Sequence, residues 1–232
     1  MSKLKIPVIP IPNIVFFPKT SLPIYIEGPH YTKMIYDSLR NENDIAISMA
    51  NSFLNFDEFG QLTSGIQYRP CEVCSLGKPI IMEKSDDNVL KVLFKGIKRI
   101  KLNNIVSNFP YPVFDAEDYP DLFEKEFSDQ KIVNKISDIL IEWIYLHTNS
   151  EDEKGSFINE LIDLNHIIDY TAMLLIKDKH IRQLILECNS LRERAHMINI
   201  LLHKNKPTKE NALAVKAFKN FEIIDKICSD PH

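Results

Sequence analysis

The apolar positions along the chain change period about halfway. Up to residue 119 they come in short runs broken by prolines and polar turns. Residues 6–9, 13–17 and 22–27 are three such runs, interrupted or bounded by Pro7, Pro10, Pro12, Pro18 and Pro23. Proline has no N–H to give a ladder, so strands here are expected to be short, bent or at a sheet edge. Residues 30–41 switch to helical spacing, with Met34, Ile35, Ser38 and Leu39 on one side. Asp44–Ala50 reads as a buried strand. Residues 72–84 and 89–102 read as two strands joined by the polar turn Ser85–Asn88, and Val113–Asp118 as a last one. Many short strands with one helix predict a small mixed barrel.

From Pro120 onward the pattern is helical. Ile132, Ile136, Ile139, Leu140, Trp143 and Leu146 recur at three- and four-residue spacing, the stripe of an amphipathic helix. Asn165–Ile176 is a second, more buried helix. Asp178 is placed to cap a helix over 179–187, and Ser190 with Glu193 forms a capping box for one over 191–203. Pro207 ends that element, and Thr208 starts a terminal helix over 209–227. The expected fold class is therefore α+β, with a β-rich part over 1–119 and an all-α helical bundle over 120–232.

Composition changes this picture little. With 232 residues, 44% hydrophobic, 26% charged and a net charge of -4, the chain has the make-up of a globular protein with a core. The mild acidity lacks the basic footprint of a nucleic-acid binder. Cys71, Cys74, Cys188 and Cys228 are too few and too unevenly spaced for a disulfide framework. With no signal-peptide pattern and no long apolar run, a cytoplasmic location is expected and a membrane partner is not.

The stretch Glu72–Glu117, with Glu72-Val73, Gly96, Arg99, Pro110-Tyr111 and Ala116-Glu117, resembles the N-terminal domain of Lon proteases. So does the opening Ile6–Pro10, Phe16-Phe17-Pro18 and Leu22–Ile26. In the helical half the similarity is carried by Asp169–Ala172, His180–Glu187 and Ser190–Arg194. The resemblance runs to about residue 204 and implies a PUA-like pseudo-barrel followed by a helical bundle. It also implies protein binding, since the family domain is associated with substrate recognition. Two positions depart from the family pattern: Cys74 and Lys19 stand where glycine is usual. Glycine reaches positive φ cheaply and the replacements do not.

The catalytic parts of a Lon protease have no counterpart in these residues. Gly60–Gly65 has the glycine spacing of a phosphate loop, but Ile66-Gln67 follows where lysine and a hydroxyl are needed. No segment resembles a serine–lysine catalytic region, and Ser156 and Ser190 read as helix-start residues. Cys71-x-x-Cys74 has no second ligand pair for zinc, and the two read as small buried hydrophobes. No enzyme activity, cofactor or metal is therefore expected, and a domain standing alone as an adaptor or modulator of proteolysis is.

Binding candidates remain. Phe53, Leu54, Phe56 and Phe59 lie in a segment read as a loop, where exposed aromatics would anchor an unfolded or helical partner. The simpler alternative has them folded down onto the barrel. The seam between barrel and bundle, near Trp143 and Tyr145, is a second place. Lys95, Lys98, Arg99 and Lys101 form a basic strand that offers an alternative RNA-binding face. Lys91, Lys95 and Lys101 alternate, however, as on the wet side of a half-exposed strand. The sequence does not set the oligomeric state.

Overall fold

The computed structural model describes residues 4–56, 62–85, 89–123, 129–148 and 150–204. Seven strands and six helices occupy them: β1 (Leu4–Pro12), β2 (Ser21–Ile26), α1 (Pro29–Arg40), β3 (Ile45–Phe56), β4 (Leu62–Pro70), β5 (Val73–Lys84), β6 (Leu90–Ser107), β7 (Val113–Asp118), α2 (Gln130–His147), α3 (Glu151–Glu160), α4 (Leu164–Leu175), α5 (Lys179–Glu187) and α6 (Leu191–Lys204). Five strands close into a ring, β1-β7-β6-β5-β3, through a parallel β1–β3 pairing; β2 pairs with β6 and β4 with β3.

The prolines sit where their missing N–H does least harm. The first half of β1, Leu4–Pro7, pairs only with β7, and the second half, Val8–Pro12, only with β3. Each half therefore behaves as an edge, which is where proline is tolerated. β2, with Pro23, pairs only with β6.

Successive residues of β3 point to opposite faces. Ile45 and Ile47 join Ile9, Phe94 and the α1 residues Met34 and Ile35 in one cluster, while Ala46 joins Val8, Cys74, Leu76 and Ile100 in another. Leu39, expected on the buried side of α1, is exposed.

Residues 13–17 are not a strand. Asn13 takes φ 68 and turns the chain off β1. Val15, Phe16 and Phe17 are then buried one after another, Phe16 in the barrel cluster and its two neighbours in the helical one. The Ser75 hydroxyl donates to the Phe16 carbonyl at 2.6 Å and the Thr20 hydroxyl to that of Phe17 at 2.7 Å, so the irregular backbone is satisfied locally. Gly96 is fixed by close approach: a Cβ there would lie 2.5 Å from the Phe17 carbonyl oxygen.

The helical part packs α2, α4 and α6 against one another. Ile136, Leu140, Trp143 and Ile144 form the buried stripe of α2. Asp129, Asp163 and Asp178 cap α2, α4 and α5 through their carboxylates. Ser190 accepts from the Glu193 amide at 3.1 Å at the start of α6. The helix α3 was not expected, and Ser156, read as a helix-start residue, stands inside it. The largest core cluster unites Trp143, Tyr170 and their helical neighbours with Val15, Phe17, Met49 and Val73 from the β-rich half. The expected terminal helix over 209–227 lies outside the described residues.

Candidate functional site

The seam between ring and helices is built on one strand irregularity. After a register shift between Glu83 and Ile81, β5 and β6 pair in step from Ile81–Val92 to Gly77–Gly96; the next pair is Leu76 with Lys98, leaving Ile97 as an extra residue on β6. A bulge of this kind shifts the alternation by one. Arg99 is thereby turned off the outer face and is 5% exposed. Its Nη1 donates to the carbonyls of Leu186 at 3.0 Å and Cys188 at 2.6 Å, the last carbonyls of α5. The Tyr119 hydroxyl donates to the Glu187 carbonyl between them at 3.0 Å. Two residues from the β-rich half thus cap a helix C-terminus, where carbonyls lack intrahelical donors and a cation is favoured. Gln183 of α5 returns a bond to the Val73 carbonyl at 2.9 Å.

Around Arg99 lies an ionic cluster, buried at Arg99, Arg194 and Asp169 and open to solvent at Asp121. The Nη2 of Arg99 pairs with Asp121, whose Oδ1 also accepts from Arg194 Nη2 at 2.7 Å. Arg194, 1% exposed, reaches Asp169 at 3.1 Å and the Asn165 side chain at 3.2 Å. Burial raises the Asp169 carboxyl to about 7, against the pull of Arg194 and Arg99. Burial, and then the neighbouring Arg194, pull Arg99 below its usual value. The cluster floors a pocket of about 230 Å³ rimmed by Pro18, Lys19, Ile97 and Lys98. The guanidinium Nη groups are spent on carboxylates and carbonyls, so the arrangement holds the seam rather than presenting charge to a ligand.

The expected basic face is dismantled by the same geometry. Arg99 is buried, Lys98 pairs with Asp118 at 2.5 Å and Lys101 with Glu72 at 3.9 Å. Lys91, expected on the wet side, is 6% exposed between Glu83 on β5 and Tyr25 on β2. Of the four residues expected to form an RNA face, Lys95 alone is exposed. Lys98 and Lys101 are half-buried with acidic partners.

The phenylalanine segment is not the loop expected. Phe53, Leu54 and Phe56 are strand residues of β3, opposite Gln67, Ile66 and Leu62 of β4. Gly65, from the glycine spacing that resembles a phosphate loop, is on β4; Gly60 and Phe59 lie outside the described residues. β3 leaves the ring at Ala50, its last residue with partners on both sides, Pro12 and Pro70. Beyond it β3 and β4 continue as a two-stranded ribbon.

Cys74 is buried on β5 and burial pushes its thiol well up; burial, and then Glu187, push up the half-buried Cys71. Neither is poised for thiolate chemistry. Among the described residues no cluster of three or more His, Cys, Asp or Glu side chains is placed to hold a metal ion. No helix of the described residues is long and apolar enough to cross a membrane. Trp143 is core, stacked on His147 at 4.3 Å, while Tyr145 is exposed. Lys19, where the resemblance leads one to expect glycine, takes φ 58; Cys74, the other such position, lies in extended strand and needs no glycine.

A closed strand ring with helices docked through a capped seam defines an α+β domain. The model of the substrate-binding domain of the ATP-dependent protease La (Lon) matches residues 5–204, and the chain belongs to that family. It is 21% identical over 185 residues to the Lon protease of Desulfosudis oleivorans, covering 78% of this chain and 22% of the relative. It is 24% identical over 199 residues to that of Flavobacterium johnsoniae, covering 83% of this chain and 23% of the relative. The chain therefore spans under a quarter of the relatives it matches. The fold is shared with the crystal structure of a Lon N-terminal domain protein from Xanthomonas campestris (TM-score 0.58, 13% identity, 84% of this chain and 96% of that one). It is likewise shared with the N-terminal domain of Mycobacterium avium complex Lon protease (TM-score 0.59, 14% identity, the same coverage).

Proposed function

We propose that this chain is a non-catalytic, cytoplasmic protein-binding module. It takes unfolded segments or a protein partner and acts as an adaptor or modulator of proteolysis performed elsewhere. Family membership supports the binding role, since the matching model is that of a substrate-binding domain. The ring is PUA-like in this reading, and the seam cluster joins it to the helices as one scaffold.

The observation that carries the reading is the ribbon. β3 and β4 run past the closed ring, paired only with each other among the described residues beyond Ala50 and Pro70. A lone two-stranded ribbon is marginal in water, so one that a scaffold projects is suited to gain from a partner. It carries Phe53, Leu54 and Phe56, residue types that anchor interfaces by burying large area. RNA binding finds no comparable support, because the basic strand is largely neutralised within the fold.

The test is fluorescence anisotropy with a labelled, permanently unfolded model protein. Saturable binding is expected, weakened at least tenfold when Phe53, Leu54, Phe56 and Phe59 are changed to Ala together. A variant that keeps its urea midpoint and binds as well as the parent would place recognition elsewhere. Absence of binding by the parent would leave a dedicated folded partner, sought by pull-down from the native cell.

A further inference from the structure

The pairing pattern of β3 bears on how a partner is held. Through Ala46–Ala50 the strand has β1 alongside it in parallel. On its other side are β5, opposite Ile45–Ile47, and then β4, from Ala50 onward. After Pro12 the chain leaves that position: Asn13 turns at φ 68 and is held by Lys179 and Arg182 of α5. β3 does not stop with it. Asn51–Phe56 continues, at about 3.3 Å per residue for roughly 20 Å, with only β4 beside it among the described residues. The side vacated by β1 is a row of backbone donors and acceptors.

The other edges of the sheet carry the usual guards against strand addition, which are proline, charge and irregular register. β2 has Pro23. The far part of β5, which pairs only with β6, has Lys78, Pro79, Glu83 and Lys84. β4 takes four steps from Ile66 to Leu62 while β3 takes two from Leu54 to Phe56, so the irregularity falls on β4. Asn51-Ser52-Phe53-Leu54-Asn55-Phe56 has no proline, no charge and no extra residue.

We infer that Asn51–Phe56 is an acceptor edge that takes one extended segment of unfolded polypeptide as an added strand, end to end with β1. This rests on the binding role proposed above. Another extended backbone is the chemistry that meets alternating N–H and C=O groups along an edge, and unfolded chains offer it throughout their length. A second copy of this chain is a poorer occupant. An edge contact about 20 Å long and one strand deep falls far short of the roughly 1,200 Å² that stable interfaces bury. Main-chain capture admits many sequences and excludes segments rich in proline or held in helix.

The experiment uses the full chain and a fluorescein-labelled eight-residue peptide of alternating Thr and Val, beside the same peptide N-methylated at every amide. N-methylation removes the donors and keeps the side chains. The plain peptide is expected to bind, the N-methylated one at least tenfold more weakly. Alternate amides within Asn51–Phe56 should gain hydrogen-exchange protection in the complex. Equal binding of both peptides would overturn strand addition in favour of side-chain capture and leave the binding role intact. Protection confined to other strands would overturn the location. A dimer that dissociates as the peptide binds would assign the edge to a second copy and overturn the occupant. Failure of both the peptides and the unfolded protein would overturn the acceptor edge and leave the proposed function resting on a dedicated folded partner.

Discussion

At the seam, Arg99 and Arg194 give their Nη donors to two carboxylates, an asparagine and two helix-end carbonyls, behind side chains almost wholly removed from water. In the ribbon, Asn51–Phe56 of β3 has one neighbour among the described residues, no ionisable residue and an unguarded side. The two regions share the same barrel, and β3 serves both: it packs Met49 against the helices and then runs out past Ala50. Among the residues that carry the family resemblance, Gly96, Arg99 and the segment Ser190–Arg194 lie at the seam. Resemblance here reports how the scaffold is joined.

The comparison breaks first, and hardest, at Arg194. Replacing it with Met leaves Asp169 and Asp121 short of a buried cation. Removing one partner of a buried pair costs about 3–5 kcal/mol. Urea unfolding should show a loss of that order for Arg194→Met, and a loss below about 1 kcal/mol would mean the cluster is not what joins the halves. Gly96→Ala comes next. The added methyl meets backbone rather than a movable side chain, the Phe17 carbonyl at 2.5 Å. Overpacking of this kind costs about 1–3 kcal/mol, read as a lowered melting temperature.

The third test uses pH. The Asp169 carboxyl is raised in the fold from 3.8 to about 7, so the folded state holds a proton that the unfolded state has released. The stabilisation from that proton is fully present below about pH 4 and is lost as pH rises through about 7. Asp169→Asn cannot lose it. The stability of the parent relative to the variant should therefore fall between pH 4 and 7 and level off above, and a flat difference would show that Asp169 stays ionised beside Arg194. A smaller effect is expected at Lys19, held at φ 58. A left-handed conformation costs an ordinary residue about 1–2 kcal/mol, and glycine gives back about 0.4–1 kcal/mol through the freedom of its unfolded chain. Lys19→Gly should gain roughly 0.5–1 kcal/mol.

What could be read from the sequence was local. The hairpin of β5 and β6, the strand β7 and the caps at Asp178 and Ser190 rest on neighbours in the chain, and they stand where expected. β4 reads as loop because Ser64 and Gly65 interrupt it and its partner sets its shape. The bulge at Ile97 has only the preceding Gly96 to mark it, and it decides that Arg99 is buried and so withdrawn from the basic strand. Asp121, Asp169 and Arg194 come from separate elements and meet only in the fold. One signal was available: Asp169 interrupts the buried run Ile168–Ala172 of α4, and a charge inside an apolar run needs a partner. α3, which contains Gly155, offered little to read.

The ribbon gives the smallest stability effect and the sharpest comparison with Arg194→Met. On the proposed role, Phe53, Leu54 and Phe56 changed together to Ala should shift unfolding free energy by less than about 1 kcal/mol, the range of surface substitutions, while binding of unfolded protein falls at least tenfold. The seam variant should do the reverse at temperatures where it is folded, binding normally with a lowered melting point. If the ribbon variant instead loses several kcal/mol, in the range of large-to-small core substitutions, its side chains belong to a core. The phenylalanines would then cap the barrel, and the partner surface would have to be sought at the seam.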